Sequence, residues 1–259
     1  MDPQSPVDVA PPEASEPSLA AEPTMSLGQR LAAVFVRPAG AWTGLRAHVQ
    51  WWFPLVILVV LGVGTALLLH QRATVPMVSA KWEEAVANGQ MPAAQAERME
   101  QWFSSPAGMA ASVGPQIVIF PIIYLLTALV IWFGVGFILG RPMSYRLALE
   151  VACWSGLVTI PAQLLTAVIA WSHETWKGAH VGFGILIPEP ETPSKLLSAL
   201  ASVLDAMGPL AIWWLVVAVI GAATLSGAPR KSVGWVLGGL YLALTVLFAG
   251  LGAFFSQTS

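Results

Sequence analysis

FPLVILVVLGVGTALLLH, residues 53–70, decides the fold: eighteen consecutive residues with no Asp, Glu, Lys or Arg. A strand is over within about ten residues. A helix that crosses the ~30 Å hydrocarbon core of a bilayer needs about 20 apolar residues. This stretch therefore predicts a membrane-spanning helix. Four more stretches read the same way: one within about 112–139 carrying Pro115 and Pro121, one over 147–171 with Pro161 near its middle, one over 207–227 starting near Pro209, and one over 232–255. The composition agrees. Of the 259 residues, 56% are hydrophobic and 10% are charged, against about 25% charged in an ordinary soluble domain. So few charges cannot coat a water-facing surface. The expected fold class is all-α, a polytopic membrane bundle of about five transmembrane helices with short interfacial helices.

Working outward, residues 1–25 carry Asp2, Asp8, Glu13, Glu16 and Glu22, six prolines and no Lys or Arg. Such a stretch cannot bury apolar surface and reads as a disordered acidic tail. An acidic, proline-rich start is not a cleavable signal, so the first span is expected to serve as an uncleaved anchor. The ordered domain is expected over 26–258. Ser26 with Gln29 fits a capping box. Leu27, Leu31, Val34 and Phe35 then share one helical face, with Arg30 and Arg37 set to reach phosphates, the pattern of a helix lying in the membrane interface. Pro38 and Gly40 break it, and Trp42, Arg46, Trp51 and Trp52 read as interface anchors.

Two links between spans are short, Gly140-Arg141-Pro142 and 227–231, which makes their flanking helices antiparallel neighbours. Two are long. Residues 72–111 predict an outer helical hairpin, about 75–87 and 92–104, with Asn88-Gly89 ending the first helix and Pro92 in the first turn of the second. Residues 172–206 are turn-rich around Pro188, Pro190 and Pro193, then amphipathic through Leu196, Leu197, Leu200, Val203 and Leu204. Arg30, Arg37, Arg46, Arg141, Arg146, Arg230 and Lys231 flank the first span and the short links, whereas the long loops mix bases with more acids. Basic residues near membrane ends favour the cytoplasm. The N-terminus and short links are therefore expected inside, and the long loops and C-terminus outside.

The order and spacing of several motifs resemble a known family. They are Val34-Phe35-Val36-Arg37-Pro38 followed by Trp42; Gly140-Arg141-Pro142-Met143-Ser144-Tyr145-Arg146 opening a span that contains Pro161; Leu204-Asp205 then Ile212-Trp213; and Ser226 followed by Arg230-Lys231. Residues 87–92 and 95–98 of the outer loop fit the same pattern. Over about 30–255 the chain resembles the Yip family (Ypt/Rab-interacting membrane proteins), the bacterial branch in particular. The resemblance implies a five-helix membrane domain with a cytoplasmic N-terminus, and points to a bacterial cytoplasmic membrane. Eukaryotic relatives are linked to Rab-type GTPases and to membrane traffic or shape. A bacterium has no such Rab system, so the resemblance speaks to fold more than to function.

Candidate sites are few. Glu150 follows Arg146 by four residues, so the two can meet on one helix face, either as an interfacial ion pair or as an ion site within the membrane. Asp205, before Gly208-Pro209, faces either a polar cavity between helices or the water boundary. Gly234 and Gly238 form a GxxxG pair suited to close helix packing, within the bundle or between copies. His70, His173 and His180 are scattered, and the single cysteine, Cys153, excludes a cysteine metal site. No catalytic motif is present, so no enzyme activity, cofactor or metal is expected. A net charge of −2 with no basic cluster argues against nucleic acid. The expected partners are the lipid bilayer and either another membrane protein or a second copy. Two functions fit: a non-enzymatic scaffold, assembly or membrane-organising factor, or a small transporter or channel subunit using Asp205 and Glu150.

Overall fold

The computed structural model describes residues 25–176, 178–179, 181–187 and 195–255. The acidic tail, His180 and Pro188, Pro190 and Pro193 lie outside the described residues. Among the described residues the regular elements are all helical: α1 Leu27–Val36, α2 Trp52–Leu69, α3 Val75–Ala87, α4 Ala93–Ser104, α5 Pro106–Val113, α6 Gln116–Trp132, α7 Tyr145–Gly156, α8 Ile160–His173, α9 Lys195–Ala206, α10 Pro209–Ser226 and α11 Arg230–Phe255. Five continuous helical segments are long and apolar enough to cross a membrane: Trp52–Ala87, Pro106–Ile138, Tyr145–His173, Pro209–Ser226 and Arg230–Phe254. The all-α polytopic membrane bundle stands.

The first segment departs from expectation. The sequence predicts a span ending near His70 and a separate short helix from 75, but α2 continues into α3 through a π-turn over His70–Thr74, where the Val75 N–H bonds to the His70 carbonyl. Pro76 supplies the reason. It has no N–H for the Arg72 carbonyl and its ring would press on that carbonyl in a regular helix; the wider turn relieves both problems without breaking the rod. The second segment is bent at its entry by Gly114-Pro115, between α5 and α6, and ends in another π-turn, Phe133–Ile138. In the third, a 3₁₀ turn at Leu157–Thr159 precedes Pro161, which sits in the first turn of α8.

α7 is the axis of the bundle. Every residue from Ala148 to Val158 is buried, as expected of a helix surrounded by others. It packs against α1, α2, α6 and α10, and its small residues let those helices come close. A Cβ at Gly156 would lie 2.5 Å from the Tyr124 ring of α6. Gly62 of α2 likewise receives the Phe120 ring, and Gly134 receives Leu237 and Leu240 of α11. The Gly234 and Gly238 pair, singled out from sequence, faces α10 loosely, with Val219 at 3.8 Å and Leu215 at 4.0 Å from the added Cβ. The tightest helix crossings are made by other glycines.

One end of the molecule carries α1, the 37–50 turn and the two short links; we call it the strap face. The other carries α3–α5, the 174–187 loop and α9, and is called the hairpin face. At the corner between α4 and α5, a Cβ on Gly108 would lie 2.2 Å from the Trp102 carbonyl oxygen and 2.7 Å from the Phe103 Cα. These are backbone atoms that cannot swing aside. Gly108→Ala is expected to destabilise the protein by about 1–3 kcal/mol through overpacking. Gly239→Ala, facing open space, is expected to be neutral or stabilising by up to ~1 kcal/mol. Thermal unfolding in detergent, comparing the two variants, checks both signs.

Candidate functional site

The strap is built by its own sequence before it meets the bundle. Ser26 and Gln29 complete a reciprocal capping box, with Gln29 N donating to Ser26 Oγ at 3.3 Å and Ser26 N to Gln29 Oε1 at 3.1 Å. α1 stops at Val36, since Pro38 cannot continue it, and the chain turns back through residues 38–48. Trp42 is not the interface anchor expected of it. It is 2% exposed and lies on α10 where Gly221 has no side chain; a Cβ there would be 2.5 Å from the indole.

A turn of this kind leaves backbone carbonyls without helix partners, and buried carbonyls need donors. Two guanidinium groups supply them, and a third, from the turn itself, ties it to α10. Arg30 donates from Nη2 to the Thr43 carbonyl at 2.9 Å and from Nη1 to that of Ala41. Arg146 donates to the Arg46 carbonyl at 2.6 Å and, at 3.4 Å, to that of Leu45. Arg46 reaches across to the Leu225 carbonyl at the end of α10, 2.7 Å away. The sequence suggests an Arg30 that reaches lipid phosphates; instead Arg30 is 1% exposed and turned inward.

Glu150 is 0% exposed. Its carboxylate accepts the Gln50 backbone N–H at 2.8 Å and the Trp154 indole N–H at 3.2 Å. Gln50 joins it to Arg30, because its side-chain oxygen accepts from Arg30 Nε at 2.9 Å. The Arg30 guanidinium also lies over the Trp154 ring, 5.7 Å from its centroid. Burial lowers the Arg30 pKa from its ordinary value, and the charge of Glu150 pushes it back up. The expected Arg146–Glu150 pairing does not form. The two share a helix face, but the strap carbonyls claim Arg146 and the strap amide claims Glu150.

Asp205 lies on the hairpin face. Its carboxylate is set against Gly184 and its backbone against Gly182; a Cβ at Gly184 would meet Asp205 Oδ1 at 2.2 Å. It holds the 182–187 loop onto α9 and shares no neighbour with Glu150, so the structure does not bring the two acids together. The π-turn organises the rest of that face. His70, 1% exposed, bonds through Nε2 to the Phe103 carbonyl at 3.0 Å and through Nδ1 to Ser112 Oγ at 3.1 Å. Gln71 donates to the Ser104 carbonyl at 2.8 Å, and Arg72 to that of Trp171 at 3.1 Å. Arg72 also pairs with Glu174 at 3.0 Å.

Arg30 and Glu150 are sealed from the surface, while Gln50 lines an open recess with Ser26, Gln29 and His48. Among the described residues no group of three or more His, Cys, Asp or Glu side chains could hold a metal. An open recess of about 700 Å³ lies elsewhere, between α9 and α11, lined by Ala206, Tyr241, Thr245 and Phe248 among others. Sequence reasoning missed Gln50, Trp154 and the Trp42–Gly221 seat. Trp154 carries a usable signal, four residues beyond Glu150 on the same helix. Gln50 carries none, since its role is fixed by a contact one hundred residues away.

A family model for the Yip1 domain matches residues 32–252. The chain belongs to the Yip1-domain family. No curated protein and no solved structure matches it. The match holds Gln50, Glu150 and Trp154, while Arg30 precedes it, so this Yip1-domain protein completes its charge cluster with a residue outside the matched region.

Two polar contacts of the protein should differ sharply in value. Gln50→Leu leaves a buried guanidinium N–H without an acceptor and is expected to cost about 1–3 kcal/mol. Glu174→Gln removes only the charge of a pair with Arg72 whose side chains are 44% and 60% exposed, and is expected to cost less than ~1 kcal/mol. Unfolding midpoints of the two variants in one detergent test the ranking.

Proposed function

We propose that this Yip1-domain protein acts without catalysis, as a scaffold, assembly or membrane-organising factor that presents its hairpin face to another membrane protein. The observation that carries this reading is the unbroken helix Trp52–Ala87. Its 36 residues at ~1.5 Å each make a rod of ~54 Å, well beyond the ~30 Å hydrocarbon thickness. The rod is held at its base by Gln50 and lifts α3 clear of the lipid. α4 returns along it, joined by Ser79 Oγ to Glu100 at 3.0 Å and by the edge-to-face contact of Trp82 with Phe103. No residue of α4 is buried, and Trp102 stands 54% exposed. A rigid projection with an exposed tryptophan is suited to contact rather than to chemistry.

We place the strap face in the cytoplasm and the hairpin face outside, in a bacterial cytoplasmic membrane. Arg37, Arg46, Arg141, Arg146, Arg230 and Lys231 support this, since they gather at the strap end. The transport alternative rests on Glu150 and Asp205, which sit at opposite faces.

Site-specific photo-crosslinking in native membranes tests the proposal. A crosslinker at position 102 is expected to give a discrete protein adduct, and one at position 235, where Trp235 is 76% exposed on α11, to give lipid adducts only. Equal protein capture at both positions, or none at 102, would sink the reading. A proteoliposome flux abolished by Glu150→Gln and Asp205→Asn would favour transport instead.

A further inference from the structure

The seam between strap and bundle is held by two kinds of contact. Val34, Leu45 and Trp42 supply apolar packing. The polar part concentrates full charges where water is excluded. Arg30 comes from the strap and is 1% exposed; Glu150 comes from the bundle and is 0% exposed. The two do not touch. Gln50 stands between them, taking Arg30 Nε–H on its side chain and giving its own N–H to Glu150.

This arrangement has a consequence for motion. A buried charge is tolerated only while its counter-charge and hydrogen-bond partners are in place, and removing one partner is far worse than removing both. A strap lifted part-way would leave Glu150 without its strap donor, or Arg30 without its carbonyls, still shielded from water. Intermediate positions are therefore disfavoured, and the seam is either closed or fully open. Two observations bear on the open state. α1 carries its own capping box, so its first turn is satisfied without the bundle. The Trp42 indole N–H is buried with no hydrogen-bond partner, so leaving the Gly221 seat forfeits no hydrogen bond and gives that group access to water.

We infer that residues 26–50 form a charge-locked cover over the strap end of the bundle, which opens as one unit when the charge of Glu150 is neutralised or when either Arg30 or Glu150 is captured by a competing ion. The lock does not depend on the scaffold reading: it would operate in a protein of any function.

The test uses the full-length protein in lipid nanodiscs, where both faces are open to reagent. Val34→Cys, on the buried side of α1, is placed in a Cys153→Ser background, and its reaction with a maleimide is timed. The closed strap protects it. Arg30→Met and Glu150→Gln are each expected to speed labelling at least tenfold. The double variant, in which both fully buried charges are gone and only the more exposed Arg46 and Arg146 remain in the seam, is expected to label more slowly than either single variant. A second reporter, Val113→Cys in the same background, sits buried on the hairpin face and is expected to stay protected throughout. Single variants that label at the parental rate overturn the lock. So does a double variant whose rate multiplies the two single effects, since that result means independent loosening. Opening of position 113 together with position 34 also overturns it, because the strap would then not move as a separate unit.

Discussion

A helix ends with four carbonyls that have no partner within it, and in or near a bilayer there is little water to take their place. In this protein, long side chains from other elements meet that need. Arg46 takes the Leu225 carbonyl at the end of α10. His70 and Gln71 take those of Phe103 and Ser104 at the end of α4. Arg72 takes Trp171 near the end of α8, and Tyr241 takes Ala206 at the end of α9. Arg30 and Arg146 extend the same chemistry to the turn that follows α1. The bundle is tied together at its two faces by donors seeking freed carbonyls, while its lipid-facing middle is held by close packing around α7.

The two faces use the constraint differently. On the hairpin face three of the donors, His70, Gln71 and Arg72, come from consecutive residues of one π-turn, and the partners are helix ends. The result is a platform fixed to the top of the first span. On the strap face the donors are arginines from three separate places, and the carboxylate of Glu150 is drawn into the same network. Charge takes the place of mere polarity there, which makes that seam the more demanding of the two: neutral hydrogen bonds fail one at a time, whereas an unpaired buried charge disturbs all its neighbours. The helix Trp52–Ala87, entered just after Gln50, runs from one seam to the other.

The Yip1-domain match over residues 32–252 takes in four of the five spans and all but the last two residues of the fifth, Arg230–Phe254. It does not reach Arg30. The inward turn of that side chain is set by the carbonyls of Ala41 and Thr43 and by Gln50.

The sequence by itself determined the spans, because length and apolarity are local properties: a run such as 53–70 has one stable state in oil. It also determined the capping box at Ser26, the hairpin helices 75–87 and 92–104, and the crowding of basic residues at one end. The tertiary structure alone decided where the polar side chains went. Arg146 and Glu150 are spaced to pair, yet strap atoms about one hundred residues away outcompete the pairing. Arg30 has the position of a phosphate-reaching residue on an interfacial helix, yet buried carbonyls claim it. Gly234 and Gly238 have the packing motif, yet Gly62, Gly134, Gly156 and Gly221 make the close crossings. In each case the outcome depends on which backbone group lies nearby after folding, and neither helical period nor composition encodes that distance.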